Sequence, residues 1–313
     1  MAPTVLIADI GGSTTRIARS GADGVPFDVR LETNDSYASA QDLLGTYLSA
    51  VSGEAPVGAV LAVAGPVDGD AVRLTNREWR FSRAALGAAL GLERVEVLND
   101  FVAFAHAVPQ LGRDDLLAVG VGRAAAGRPR LVCGPGTGFG TALILTREGG
   151  HDVLPSEAGH MRFGAVTTDE ARLIAHMVRD MGPVAVEHVL SGGGLVRMHR
   201  ILTGERLSAH AIVKAALGGQ PSEKETCAVF LRVLGRVLGD LALAFEALGG
   251  VYVGGGLGRG LAPLFADSPF RTAFEDHPPY GERLAQVPVQ VVTHAAPGLL
   301  GAARLGRRLL QAG

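Results

Sequence analysis

The 313-residue chain has little cysteine, little net charge and no long apolar run. Each shortage removes a class of protein. Two cysteines, Cys133 and Cys227, with no CxxC pair, argue against a cysteine-based zinc site, and no structural zinc is expected. One distant pair in a Gly- and Ala-rich chain reads as two reduced thiols of a cytosol rather than a disulfide. The formal net charge is −2 and basic clusters are short. "RLGRR" near the C-terminus reads as a solvated helix face, so no nucleic-acid partner is expected. No segment reaches 18 uncharged apolar residues. The best candidate, "LALAFEALGGVYVGGGLG", carries Glu246 and is dense in glycine, which argues against a membrane span. The apolar part of "MAPTVLIAD" is too short for a signal peptide. A soluble, cytoplasmic protein is expected. Also missing are GxxxxGK[ST] and the HRD and DFG motifs of protein kinases. "GVGRAA" at 120–125 has the form GxGxxA, but a loop and a strand follow it. A dinucleotide fingerprint needs its last small residue to open a helix.

What is present is a hydrophobic share of 47%, enough for sizeable cores, over a length of about two domains. Short β runs alternate with helical stretches, which predicts a mixed or parallel sheet with helices on its faces. "TVLIADIGG" and "TTRIARSG" read as a hairpin, and "VGAVLAVAGPV" and "VEVLND" as buried strands. "AQDLLGTYLSAV", "SRAALGAALG" (Ser82 as N-cap, Gly91 as stop) and "FVAFAHAVPQL" read as helices. After about residue 112 the pattern restarts. "PRLVCGPGTGFGTALIL" is again strand, glycine turn, strand. Long helices follow around 169–179 and 222–248, then strands in "GGVYVGGGLG" and "VPVQVVTH", then a terminal helix in "PGLLGAARLGRRLLQA". Two halves opening on similar hairpins suggest an internal duplication.

Three glycine turns stand out: "DIGGSTTR", "GPGTGFGTA" and "GGGLGRG". Glycine lets a backbone approach a ligand closely, and successive N–H groups can cradle phosphate oxygens. The bland alternative is a set of tight hairpins. Asp9 ends a strand beside Gly11 and Gly12. It can hold Mg²⁺ through water, or simply make a turn bond. "VEVLNDFVAF" ends an apolar strand with Asn99 and Asp100. They suit a substrate hydroxyl, or cap the following helix, or both. "LPSEAGHMRF" sets Glu157 three residues before His160, as a site or as a surface ion pair. Glu187 precedes "HVLSGGG" near a helix start, where the dipole favours a carboxylate in any case. Asn76, near Trp79, is a further polar candidate. A site rich in neutral and anionic hydrogen-bonding groups fits a neutral polyol better than an anionic metabolite.

The ordered series "ADIGGSTTRIA", "AVAGPVDGD", "LTNREWRFS", "EVLNDFVAFAHAVP", "GPGTGFGTALI", "LPSEAGHMRF", "EHVLSGGGLVRMHR", "GGVYVGGGL", "FRTAFEDH" and "APGLLGAARL" resembles bacterial glucokinases nearly end to end. The resemblance implies an α/β, two-lobe actin-like ATPase (ribonuclease H-like) fold with a cleft between the lobes. It implies a small lobe over 1–110, completed by the terminal helix at 297–313, and a large lobe over 111–296. It implies ATP-dependent phosphorylation of the glucose 6-hydroxyl, Mg²⁺, and a homodimer. Carried onto this sequence, the sugar contacts fall on Asn99, Asp100, Glu157, His160 and Glu187, and the catalytic base on Asp100. The phosphate turns fall on Ala8, Asp9, Ile10, Gly11, Gly12, Ser13 and Thr14, and on Gly136, Thr137 and Gly138, with Asp9 as the metal residue. Two departures stand out. The family's GGTNxR is here "GGSTTR", with Thr14 for an amide, and its GEGGH is here "SEAGH", with Ser156 and Ala158 for glycines. Both bear on loop flexibility, hence affinity. Other readings are a kinase for a different hexose, or a non-catalytic actin-like ATPase or sugar sensor. The cysteine-rich zinc motif and N-terminal DNA-binding helices of a related family of sugar kinases and repressors have no counterpart here.

Overall fold

The computed structural model describes residues 2–75 and 77–311. Asn76 lies outside them. The chain forms two compact units. One runs up to Leu111 and resumes from His294; the other is Gly112–Thr293.

The first unit opens with β1 (Val5–Ile10), β2 (Thr14–Ser20) and β3 (Pro26–Thr33), then α1 (Ala40–Ala50) and β4 (Gly58–Val63). A small antiparallel sheet follows, made of β5 (Val67–Asp68), β6 (Ala71–Arg73) and β7 (Arg80–Ser82). Then come α2 (Arg83–Leu90), β8 (Arg94–Asn99) and α3 (Asp100–Ala107). The main sheet has the order β3-β2-β1-β4-β8. β1 pairs antiparallel with β2 and parallel with β4, and β4 pairs parallel with β8.

The apolar run of β1 is continuous because both faces of the sheet are covered. Leu6, Ala8 and Ile10 point into a core shared with Leu43, Leu44 and Leu86 of the helices on one face. Val5 and Ile7 point to the other face and meet Leu299, Ala302 and Ala303 of the C-terminal helix, Pro297–Gln311. That helix also lies along α3, where Gly301 sits so close to the Ala103 carbonyl that no side chain would fit. The expected caps are present: Ser82 Oγ accepts from Ala85 N, and Gly91 ends α2 in the left-handed conformation.

The second unit begins with β9 (Leu116–Val119), a mostly exposed strand absent from the sequence reading. Its hairpin starts later, with β10 (Arg130–Pro135) and β11 (Phe139–Arg147), followed by β12 (Gly150–Ser156). Five helices come next: α4 (Thr168–Met181), α5 (Val186–Val189), α6 (Gly192–Thr203), α7 (Ala209–Leu217) and α8 (Pro221–Ala244). β13 (Val251–Val253), α9 (Gly256–Gly260), α10 (Phe270–Glu275), α11 (Gly281–Ala285) and β14 (Val289–Val292) complete it. The sheet order is β12-β11-β10-β13-β14-β9. Its first five strands repeat the order and the parallel or antiparallel sense of the first unit's sheet. The duplication read from the hairpins is thus a duplication of whole sheets, with β9 added antiparallel beside β14. One core fills this unit, with Phe230, Phe265, Phe270 and Phe274 fully buried.

Candidate active site

In the first unit the β1–β2 hairpin delivers Asp9, Gly11, Gly12, Ser13 and Thr14 to one end of the sheet, with Ala8 and Ile10 buried in β1 behind them. The turn's carbonyls are all taken up by the protein. Gly11 N donates to Thr14 O at 3.0 Å, and Asn34 N donates to Ser13 O at 2.9 Å. Asn34 Nδ2 donates to Gly11 O at 2.8 Å and reaches Gly12 O at 3.3 Å. Arg77 Nη1 donates to Gly12 O at 3.2 Å. Asn34 is fully buried and is itself fixed by Thr15, whose hydroxyl donates to Asn34 Oδ1 at 2.8 Å. The exposed hydroxyls of Ser13 and Thr14 stand at the rim. With its carbonyls held inward, the turn presents donors, the electrostatics an anion needs.

The half-buried Asp9 carboxyl lies against the first turn of the C-terminal helix. A Cβ added at Gly298 would be 2.7 Å from Asp9 Oδ2. Burial raises the Asp9 pKa above the ordinary carboxylate value, and the Arg16 charge opposes the shift. Desolvation penalises the charged form. A cation beside it would relieve that penalty, so the residue suits a metal-linked role.

At the end of β8 the two polar residues divide their work. Asn99 caps α3: its Oδ1 accepts from Phe101 N at 2.9 Å and Val102 N at 3.4 Å, while Nδ2 donates to Gly65 O at 3.3 Å. Asp100 occupies the first helical position, where the dipole favours a carboxylate, and accepts from Phe101 N at 3.0 Å. Of the two roles, the bonds show the cap, and Asn99 supplies it.

In the second unit, Gly136, Thr137 and Gly138 form the β10–β11 turn, closed by Gly136 N donating to Gly138 O at 2.8 Å. Glu187, in the first turn of α5, accepts from Phe139 N at 3.0 Å. Its carboxylate lies directly on Gly138, where a Cβ would collide with it. Gly192, at the start of α6, donates to Gly136 O at 2.8 Å. Gly159 packs on the Phe139 carbonyl, and the 3-10 turn Ala158–His160 brings His160 Nε2 to 3.7 Å from Glu157 Oε2. Both of those side chains are exposed. The structure thus gathers Gly138, Gly159 and Glu187 around Phe139, with Glu157 and His160 flanking Gly159 on its 3-10 turn. In the third glycine turn, Gly254 and Gly255 press against Gly134 and Pro135, so packing alone demands them.

The sequence reading missed Asn34 and Arg77. Asn34 follows an edge strand with no local motif, and only the pairing of Thr14 with Thr33 brings it under the turn.

Solved structures with the same arrangement of strands and helices are sugar kinases. A crystal structure of glucokinase from an Antarctic psychrotroph superposes with a TM-score of 0.85 at 33% identity, covering 98% of this chain and 100% of that one. A ROK-family glucokinase from Streptomyces griseus, solved with glucose and AMPPNP, gives 0.68 at 23% identity over 97% and 99%, a likeness of fold. The glucokinase of Paramagnetospirillum magneticum is 39% identical over 316 residues, 97% of this chain and 98% of its own length. That of Aromatoleum aromaticum is 40% identical over 308 residues, 95% and 93%. The family model described as Glucokinase matches residues 6–309. Fold and strand order define the class, a mixed α/β sugar kinase. Within it, the chain belongs to the glucokinase family.

Proposed function

We propose that the protein transfers the γ-phosphoryl group of ATP to the 6-hydroxyl of glucose, giving glucose 6-phosphate and ADP. The observation that carries this reading is the glycine turn after β1, whose carbonyls are all bonded inward, in a chain of the glucokinase family. In phosphoryl transfer little covalent work falls to the protein; positioning and charge stabilisation dominate. The residues at 8–14 and at 136–138 then hold the phosphates by backbone N–H groups and the hydroxyls of Ser13 and Thr137. Asp100 accepts the proton of the attacking hydroxyl. Asn99, Glu157, His160 and Glu187 hold the sugar's other hydroxyls, carboxylates accepting and the Asn99 amide fixing the strand end. Asp9 would hold Mg²⁺ through water, and the ion would supply charge neutralisation at the phosphates.

We read the fold as that of the actin-like ATPases. The unit closed by the C-terminal helix serves as the small lobe and Gly112–Thr293 as the large one. A cytoplasmic homodimer is the setting the family resemblance implies. No helix among the described residues is long and apolar enough to cross a membrane.

The test is ADP release across a panel of hexoses, with and without sugar, and with EDTA. Glucose-dependent release, abolished by EDTA and restored by Mg²⁺, is the expected result. Preference for another hexose would reassign the substrate. Hydrolysis independent of any sugar would overturn the kinase reading in favour of an actin-like ATPase.

A further inference from the structure

A cluster of metal-ligating side chains lies within the second unit, among residues the phosphoryl-transfer reading does not use. His199 near the end of α6, Glu205 just after it and Glu223 in the first turn of α8 each offer one ligand atom. These three atoms lie within 4.8 Å of one another. His199 is fully buried, Glu223 is buried and Glu205 is exposed.

The tautomer of His199 can be worked out from its neighbours. Thr226 Oγ1 donates its only proton to Ser222 O at 2.9 Å. It must therefore accept in its 2.9 Å contact with His199 Nδ1, which carries the proton. In the neutral ring that leaves a lone pair on Nε2. Nε2 is buried without a hydrogen-bond partner, and it faces Glu223 Oε1 at 3.8 Å. That distance is too long for an N–H···O bond, and a lone pair facing a carboxylate is repulsive. The other carboxylate oxygen, Glu223 Oε2, accepts from Ser222 Oγ at 2.9 Å. A buried imidazole lone pair and a buried carboxylate oxygen facing one another call for a positive charge between them.

The surroundings are those of a metal ligand. A coordinating histidine donates its other ring N–H to a nearby acceptor, which fixes its tautomer; here Thr226 is that acceptor. Glu205 is brought back over His199 by a short device. Gly204 ends α6 in the left-handed conformation, and the Thr203 hydroxyl donates to His199 O at 2.8 Å while accepting from Glu205 N at 3.0 Å. Tetrahedral zinc bonds of about 2.0–2.2 Å set ligand atoms about 3.4 Å apart, so His199 Nε2 and Glu223 Oε1, at 3.8 Å, need approach only slightly, and the exposed Glu205 side chain can close the remainder. One imidazole with two carboxylates selects a first-row transition cation over Mg²⁺ or Ca²⁺, which prefer all-oxygen sites.

We propose that His199, Glu205 and Glu223 bind one divalent transition-metal cation, with Zn²⁺ the fitting example, clipping the end of α6 to the start of α8. The expectation of no structural zinc rested on cysteines, and this trio contains none; its members are brought together only by the packing of α6 on α8.

The test uses the full chain, stripped with EDTA, dialysed and titrated with Zn²⁺ alone by calorimetry, with metal content checked by elemental analysis. The proposal expects one Zn²⁺ per chain and a melting temperature raised by several degrees. Glu205→Gln, an exposed change, should weaken that binding at least about tenfold, and His199→Gln should abolish it. Should His199→Gln fail to fold, Glu205→Gln and the visible spectrum of the Co²⁺-loaded wild type decide. Failure of the wild type to take up stoichiometric Zn²⁺, or uptake unchanged in Glu205→Gln, overturns the site. Neither result touches the kinase reading, which is scored separately by glucose-dependent ADP release in Mg²⁺.

Discussion

The two units fold the same sheet twice and support its glycine turn in opposite ways. In the first unit, side chains hold the turn: Asn34 from below and Arg77 from the side bond its carbonyls. In the second, backbone presses on backbone: Gly134 on Gly254, Gly255 on Pro135 and Gly159 on Phe139, with the Glu187 carboxylate seated on Gly138. The hairpin frame is therefore common property. What distinguishes the units is what packs on the frame: side-chain donors on the carbonyls in the first, and backbone and a carboxylate against its glycines in the second. The sheets differ again at their last parallel strand. β8 ends in Asn99 followed by Asp100, whereas its counterpart β14 ends at Val292, followed by Thr293 and His294. The first unit alone has a carboxylate at that place.

That second contrast carries the largest expected effect. A general base contributes about 10²–10⁴ in rate. Asp100→Asn should lower turnover by that factor and leave the melting temperature near wild type, because Asn99 and not Asp100 caps α3. Steady-state kinetics with a thermal melt checks both halves. Turnover near wild type would remove the asymmetry and with it the assigned base.

The contrast in glycines comes next. A methyl group at Gly134 would meet Gly254 backbone, which cannot swing aside as a side chain can. At Gly11 the nearest atom is Thr14 O, 3.1 Å away, and the neighbour need yield only slightly. Overpacking of a tight core costs about 1–3 kcal/mol. Gly134→Ala should sit at the upper end and Gly11→Ala at or below the lower end, read by denaturant melts. Equal losses would show that both turns are constrained alike.

The comparison also explains what could be seen in advance. β1, β2, β4, α1, α2 and α3 are legible because each is a local pattern: a run buried on both faces, a Ser cap, a stopping glycine. So are the glycine turns. β8 is legible as a strand but not as the buried one expected: it lies at the sheet edge, where only Val97 is buried. β9 escaped notice because its LLAV is short and half exposed, and it gains its place only by pairing with β14. Candidate residues such as Glu157, His160 and Glu187 could be listed from motifs, but the contact of Glu187 with Gly138 and Phe139 could not. It depends on α5 docking beside the hairpin. The cation trio of 199, 205 and 223 has no linear signature at all.

Asn34 tests the first unit's mode of support directly. Asn34→Ala removes the donor to Gly11 O and leaves that half-buried carbonyl and the buried Thr15 hydroxyl unpaired. Unsatisfied buried groups cost about 1–3 kcal/mol each. We expect a stability loss of about 2 kcal/mol and a KM for ATP raised about tenfold, with the KM for glucose nearly unchanged. A rise in the glucose KM instead would mean that the turn serves the sugar.

The smallest effect belongs to Arg77, and it separates two things this side chain does. Arg77 pairs with Asp35 at 2.7 Å, and the Asp35 side chain is 84% exposed. Exposed pairs contribute about 0–1 kcal/mol and are screened by salt. Arg77 also lies over the Trp79 ring, 4.6 Å from its centroid, and donates to Gly12 O. Only that last bond reaches the turn. Asp35→Ala, which removes the ion pair alone, should therefore leave the KM for ATP unchanged while the stability shifts by less than about 1 kcal/mol. Arg77→Ala leaves Gly12 O only its long bond from Asn34 Nδ2 at 3.3 Å, and, if the turn holds ATP as proposed, should raise the KM for ATP a few-fold at similarly small cost in stability. Arg77→Lys keeps the charge but not the planar fork that bonds Asp35 and Gly12 together, so it should fall nearer to alanine than to wild type in KM. If Asp35→Ala raises the KM as much as Arg77→Ala does, the ion pair and not the carbonyl bond positions the turn. The first unit's support would then be electrostatic, and the effect should fade as salt is added.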